Sequence, residues 1–221
     1  MSALLKGKGA IVTGASSRVG EAIDIMFASQ GSKMTLFGRN EDRLKPVFDK
    51  TAKASDGQQD RFLTVQGDLK DSKARKNILS KIVEKFGGLD ILVANAGIIQ
   101  KNECILVATE EMCNDILNSN LQSVFFLIQE ASPHPHPEKS QRSVINISSA
   151  TTNMAIPNPT ITLMSKVALD HLTRCLAVEL RENGILVKSV NHGIFPTRIQ
   201  RHVDADTDKL NSAFGNLVLD N

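Results

Sequence analysis

The sequence predicts an α/β fold, a single doubly wound parallel sheet of about six strands with helices on both faces. Three observations carry that prediction. Short runs of consecutive apolar or β-branched residues recur along the chain, as strands buried on both faces require. Longer segments with helical apolar spacing alternate with them, the pattern of repeated strand–helix units. Finally, the first run leads directly into a turn, Thr13-Gly14-Ala15-Ser16-Ser17-Arg18-Val19-Gly20, that opens a helix. Right-handed crossovers wind such units into one sheet, with the ligand site at the carboxyl ends of the strands.

Each element follows in order. Residues 9–13 read as the first strand, and residues 20–30 as a helix with Ile23, Phe27 and Ala28 on one face. Residues 34–37 form a second strand, followed by a charged helix from Glu41. Residues 62–65 give a third strand, and a helix over 71–86 carries Ile78, Ile82 and Val83 at helical spacing. A fourth strand at 89–93 precedes one long helix over 109–131, and a fifth strand follows at 144–147. A helix over 160–183 leads to a sixth strand at 185–190. The Pro-rich polar stretch 132–142 ends the helix before it. Its His134 and His136 have no carboxylate or cysteine pattern nearby, so they read as solvated loop residues rather than metal ligands. Residues 1–199 are expected to form one Rossmann-type dinucleotide-binding domain, and residues 200–221 an atypical short tail.

Composition narrows the function. The 221 residues carry 26 Lys and Arg against 24 Asp and Glu, a net charge of +2 spread along the chain. That balance points to neither nucleic acid nor a membrane surface. Apolar runs near the start are too short for a secretion signal or a membrane span, so a cytoplasmic location is expected. Three cysteines without CxxC spacing read as reduced thiols. There is no Trp and no Tyr.

The glycine turn has a physical reading of its own. Gly14 permits a tight turn and Gly20 lets the helix pack close to the sheet. The helix N-terminus then offers free N–H groups and a positive dipole to a pyrophosphate. TGASSRVG resembles the TGxxxGxG loop of the short-chain dehydrogenases/reductases, and the rest of that family's pattern follows in order over nearly the whole chain. Gly67-Asp68-Leu69 resembles the strand tip that holds the adenine. Ala94-Asn95-Ala96-Gly97 resembles the NNAG motif, and Asn120 matches the asparagine that anchors a proton-relay water. Ser149 matches the catalytic serine, Lys166 the lysine of YxxxK, and Val190-Asn191-His192-Gly193 with Thr197 the segment flanking the nicotinamide.

The resemblance implies a nicotinamide dinucleotide cofactor. It would be held by Gly14, Ser16, Ser17, Arg18, Val19 and Gly20, by Asp68 and Leu69, by Asn95, Ala96 and Gly97, and by Lys166 and Thr197. An NAD-specific site carries a carboxylate after the second strand for the ribose hydroxyls. Here Gly38 and then Arg39 stand at that point, and a guanidinium suits a 2′-phosphate, with Arg18 also within the loop. NADP(H) is therefore expected over NAD.

Departures from the pattern bear on mechanism. Arg18 replaces the loop's middle glycine, and His192 replaces a proline. The family's tyrosine belongs four residues before Lys166 and thirteen after Ser149, and Thr162 stands there. A threonine hydroxyl is much less acidic than a phenol of pKa about 10. No seventh strand is legible after residue 199, which leaves the sixth strand as an exposed edge. The expected catalytic set is thus Ser149, Asn120, Lys166 and Thr162. Two readings follow: an NADP(H)-binding member with impaired catalysis, or an active NADP-dependent carbonyl reductase or alcohol dehydrogenase with a non-tyrosine proton donor. Either would act on a small carbonyl or alcohol. The resemblance further implies homo-oligomers paired through the two long helices around Asn120 and Lys166.

Overall fold

The computed structural model describes residues 3–132 and 142–193. Thr197, the tail at 200–221, and His134 and His136 lie outside these residues. Among the described residues the sheet has six parallel strands: β1 (Gly9–Thr13), β2 (Lys33–Gly38), β3 (Phe62–Gln66), β4 (Ile91–Ala94), β5 (Arg142–Ser149) and β6 (Ile185–His192). Their spatial order is β3-β2-β1-β4-β5-β6. The chain winds one way from β1 to β3 and the other way from β4 to β6. The crevice of such a sheet opens beside β1, beyond the strands' carboxyl ends.

The helices are α1 (Arg18–Ser29), α2 (Glu41–Lys53), α3 (Ser72–Phe86), α4 (Glu110–Leu117), α5 (Ser123–Ala131) and α6 (Thr160–Glu179). Every residue of β1 is buried, because helices cover both faces of the central strands. One apolar cluster joins Ile11, Leu92 and Val144 to Ile78 and Ile82 of α3, Leu127 of α5 and Leu169 of α6. The other joins Val12, Met34 and Leu36 to Ala28 of α1 and Leu44 and Val47 of α2. Helices α1, α2, α3, α5 and α6 present apolar residues to these clusters, whereas α4 packs on α6.

Several boundaries differ from the sequence expectation, each for a local reason. Helix α1 begins at Arg18, two residues early, because the Ser17 hydroxyl accepts the Gly20 N–H at 3.1 Å and caps the helix there. The helix expected over 109–131 is broken into α4 and α5 by a wide turn at Asn118–Gln122. Its cause is tertiary: the buried Asn120 carboxamide bonds both backbone groups of Ile98, accepting at 2.7 Å and donating at 2.9 Å. Such π-type turns occur where a helix is drawn toward a functional site. Helix α6 stops at Glu179, and the following turn closes at Gly184 with φ 70°. Strands β5 and β6 are longer than expected and stay paired to Ser149↔His192. Among the described residues β6 is the sheet edge, with Leu186 and Val190 exposed.

Candidate active site

At the carboxyl ends of the strands lies a cleft of about 790 Å³, lined from Arg18 and Arg39 at one end to Thr162 and Lys166 at the other. Its near wall is the β1–α1 turn. Gly14 has φ +66°, and a Cβ there would stand 3.0 Å from the Ala96 Cα and the Asn95 Nδ2. A Cβ on Gly20 would stand 2.4 Å from the Gly14 carbonyl oxygen. Only glycine permits both approaches. Asn95 fixes the turn by donating to the carbonyls of Thr13 (2.9 Å) and Gly14 (3.2 Å) and to Ser17 Oγ (3.1 Å). Thr13 Oγ1 receives the N–H groups of Asn95 and Ala96, each at 3.0 Å. Asn95 thus works through the turn rather than as a free arm. Ser16, Ser17, Arg18 and Val19 line the cleft, with Ala96 and Gly97 opposite.

At the β2 end, a Cβ on Gly38 would meet Leu44 Cδ2 at 3.3 Å and Ser16 Oγ at 3.4 Å, so a carboxylate side chain there would have to displace its neighbours. Arg39, Asn40 and Arg43 line the cleft beside it. Sequence reasoning missed Asn40 and Arg43, which look like part of a solvated charged helix. The legible signal was Asn40 as a cap: its Oδ1 accepts the Arg43 N–H at 3.0 Å. On the other side Asp68 Oδ1 accepts the Lys70 N–H at 3.0 Å. Buried Leu69 gives its carbonyl to Arg75 Nη1 at 2.7 Å, and Arg75 pairs with Glu130 at 3.1 Å, which holds the β3–α3 turn. These surfaces offer what a dinucleotide needs: a glycine cradle under a helix N-terminus, cations at one end and a polar pocket at the other.

The far end holds Ser149, Thr162 and Lys166 of the expected catalytic set, whereas Asn120 is buried and does not line the cleft, and each of the four is tied to a partner of its own. Ser149, at the end of β5, has its Oγ 2.7 Å from Thr151 Oγ1. Lys166, on α6, donates from Nζ to the Ile147 carbonyl at 2.7 Å. Burial lowers its pKa to about 8, with Asp170 one turn along opposing the shift. Asn120 Nδ2 also donates to Ser165 Oγ at 3.1 Å, so its side chain is spent on shaping the wide turn. Thr162, one helical turn before Lys166, donates its Oγ1 proton to Glu103 Oε1 at 2.8 Å and its N–H to Glu103 Oε2 at 2.7 Å. Gln100 N–H also donates to Glu103 Oε1, at 2.7 Å. Among the described residues, no hydrogen bond links Ser149, Thr162 and Lys166 to one another. His192 lines the cleft, its Nδ1 2.6 Å from the Gly193 carbonyl oxygen.

Glu103 is the main residue that sequence reasoning missed. It is 1% exposed, although it stands in a polar stretch, Gln100-Lys101-Asn102-Glu103, that reads as surface. No local pattern marks it, because its partner lies 59 residues further along the chain. Among the described residues no cluster of three or more His, Cys, Asp or Glu could hold a metal ion. No described helix is long and apolar enough to cross a membrane.

Comparison with known proteins adds a family context. The model of a family described as short chain dehydrogenase matches residues 8–208. The 3-oxoacyl-[acyl-carrier-protein] reductase FabG of Staphylococcus aureus is 30% identical over 205 residues, 92% of this chain and 79% of that protein. Among solved structures, the glucose dehydrogenase of Caenorhabditis elegans in its apo form is 32% identical with a TM-score of 0.78, covering 86% of this chain and 76% of that one. The 3-ketoacyl-(acyl-carrier-protein) reductase of Brucella melitensis, complexed with NADH, is 25% identical with a TM-score of 0.82, covering 90% of this chain and 81% of that one.

Proposed function

The chain belongs to the short-chain dehydrogenase family of oxidoreductases, and from that premise we propose that it is an NADP(H)-binding member impaired in carbonyl reduction. One observation carries the proposal. Where the family's tyrosine would stand, the only side-chain proton belongs to Thr162 Oγ1, and it is aimed at Glu103 rather than at the cleft. A bound nicotinamide supplies or accepts a hydride, so the chain's own task is the proton. Losing a positioned general acid costs about 10²–10⁴ in rate. Ser149 shares a hydrogen bond with Thr151, and Lys166 has no phenol to activate.

The nucleotide would lie along the cleft. Gly14, Ser16, Ser17 and Gly20 would face its pyrophosphate, while Asp68 and Leu69 would meet the adenine. Gly97, Lys166 and Thr197 would stand toward the nicotinamide. Preference for NADP(H) rests on the absence of an acid at Gly38 and on Arg18, Arg39 and Arg43 along the same rim. The Brucella relative is complexed with NADH, so it is this arginine set, not the fold, that argues for the 2′-phosphate. A cytoplasmic location and pairing through α5 and α6 belong to the same reading. Phe125 on α5 and Met164, Val167 and Val178 on α6 are exposed apolar side chains on those helices.

A second reading, an active reductase or alcohol dehydrogenase with a non-tyrosine proton donor, is favoured by Ser149, Thr162 and Lys166 all lining one cleft. One experiment separates the two. In NADPH-saturated protein offered a 3-oxoacyl thioester, Thr162→Tyr should raise the rate of NADPH oxidation by about 10²–10⁴. A wild-type rate equal to or above that of the variant would refute impairment.

A further inference from the structure

We propose that the Glu103–Thr162 pair makes the reacting end of the cleft a hydrogen-bond acceptor, selecting an alcohol ligand over the matching carbonyl compound. The inference rests on reading the cleft as the nicotinamide dinucleotide site and names the ligand class that this site takes. A threonine hydroxyl has one proton and two acceptor lone pairs. At Thr162 the proton is committed to Glu103 Oε1 at 2.8 Å. The carboxylate is fixed in turn: backbone N–H groups can only donate, and those of Gln100 and Thr162 occupy its two oxygens at 2.7 Å each. Buried and held by three donors from a loop and a helix, Glu103 has no freedom to turn away. Thr162 lines the cleft, and what remains on its oxygen to meet a ligand is lone pairs.

The consequence differs for two ligands of the same shape. An alcohol can donate its O–H to Thr162 Oγ1 and accept from Ser149, whose own proton is available to a ligand when Thr151 Oγ1 is the donor between the two hydroxyls. A ketone or aldehyde oxygen can accept from Ser149 but meets only lone pairs at Thr162. A buried polar atom facing an unmatched partner weakens binding by about tenfold or more. The pair also gives a proton a route in the oxidative direction. With the hydride taken up by an oxidised nicotinamide held in the cleft, the alcohol proton would pass to Thr162 Oγ1 as the Thr162 proton passes to Glu103 Oε1, so that a carbonyl compound and a neutral carboxyl result. In the reductive direction, Glu103 must first gain a proton before Thr162 can donate one.

Glu103 also caps α6, since the residue before that helix, Pro159, makes no side-chain cap bond. The test must separate this structural role from selectivity. Thr162→Val removes the hydroxyl but keeps the N–H bonded to Glu103, so the cap survives. Thr162→Ser keeps a hydroxyl and should behave as wild type. Equilibrium binding of 3-hydroxybutanoyl and 3-oxobutanoyl N-acetylcysteamine thioesters is followed by ligand-observed NMR, on the NADPH-loaded and the unloaded chain. Wild type and Thr162→Ser should bind the hydroxy compound about tenfold more tightly than the oxo compound. In Thr162→Val that ratio should fall to within about twofold. Glu103→Gln, which aims an amide at Thr162, should also reduce it. Equal binding by wild type, an unchanged ratio in Thr162→Val, or no binding of either thioester would overturn the proposal. Failure to bind NADPH would instead defeat the function proposed above. The ratio on the unloaded chain would still decide the selectivity, because Glu103 and Thr162 are already in contact there.

Discussion

Replacing Asp24 with alanine should stabilise the protein. Asp24 lies in α1, which packs on α2, β1 and β2. The residue is 0% exposed, and both carboxylate oxygens are buried without a hydrogen-bond partner. Burial, with a smaller contribution from the charge of Glu21, raises its pKa well above the ordinary carboxylate value. An unpaired buried polar group costs about 1–3 kcal/mol. Alanine also has the better helix propensity, by a few tenths of a kcal/mol, whereas the small void it leaves acts in the opposite direction. At pH 4.5 the net gain should be about 1–2 kcal/mol, or about 2–8 °C in Tm for a chain of this size. The gain should also depend on pH. Above about pH 4 the unfolded chain releases the Asp24 proton while the folded chain keeps it. From there up to the raised folded pKa, wild-type stability falls by about 1.4 kcal/mol per pH unit from this group. Asp24→Ala lacks that slope, so its advantage should be larger at pH 7.5 than at pH 4.5. Urea unfolding of both proteins at the two pH values measures this. A less stable variant, or an advantage that is the same at both pH values, would refute the reasoning.

Other consequences are equally open to measurement. Arg39→Ala combined with Arg43→Ala should weaken NADPH about tenfold or more while leaving NADH within about twofold, since only the 2′-phosphate loses its bidentate partners; fluorescence titration reads both. Lys166 has a folded pKa of about 8, below its unfolded value of about 10.4, so the folded protein releases that proton first. Its contribution to stability is therefore unfavourable below pH 8 and should be relieved as pH rises from 8 to 10.4. Lys166→Met should remove this rise, seen as a flatter dependence of urea midpoint on pH. Asn120→Ala should cost about 1–3 kcal/mol by leaving both Ile98 backbone groups unpaired, with a matching fall in Tm.

Much of the fold was legible because its information is local. The apolar runs at β1, β2 and β3 and the helical spacing of Ile78 and Ile82 mark buried faces directly. So does the glycine pair, since the close backbone contacts at Gly14 and Gly20 exclude any side chain. What escaped was set by contacts between distant segments. The break between α4 and α5 follows from Asn120 reaching Ile98, 22 residues away, and nothing in the helix pattern around it signals a turn. Glu103 and Arg43 resemble ordinary surface charges, and Asp24 interrupts a helix face without revealing that it is enclosed. At the site, the positions of Ser149, Thr162 and Lys166 could be read from the family resemblance, but not their hydrogen bonds. Those depend on Thr151, Glu103 and Ile147, which no motif singles out.

Titration of the purified chain with NADPH and, separately, NADH tests the account most directly. With no Trp or Tyr in the chain, nicotinamide fluorescence can be followed over a low protein background. The account predicts saturable binding of NADPH, with NADH at least about tenfold weaker. Equal or tighter binding of NADH would contradict the reading of Gly38, Arg39 and Arg43. A folded protein that binds neither would contradict the assignment of the cleft as a nicotinamide dinucleotide site.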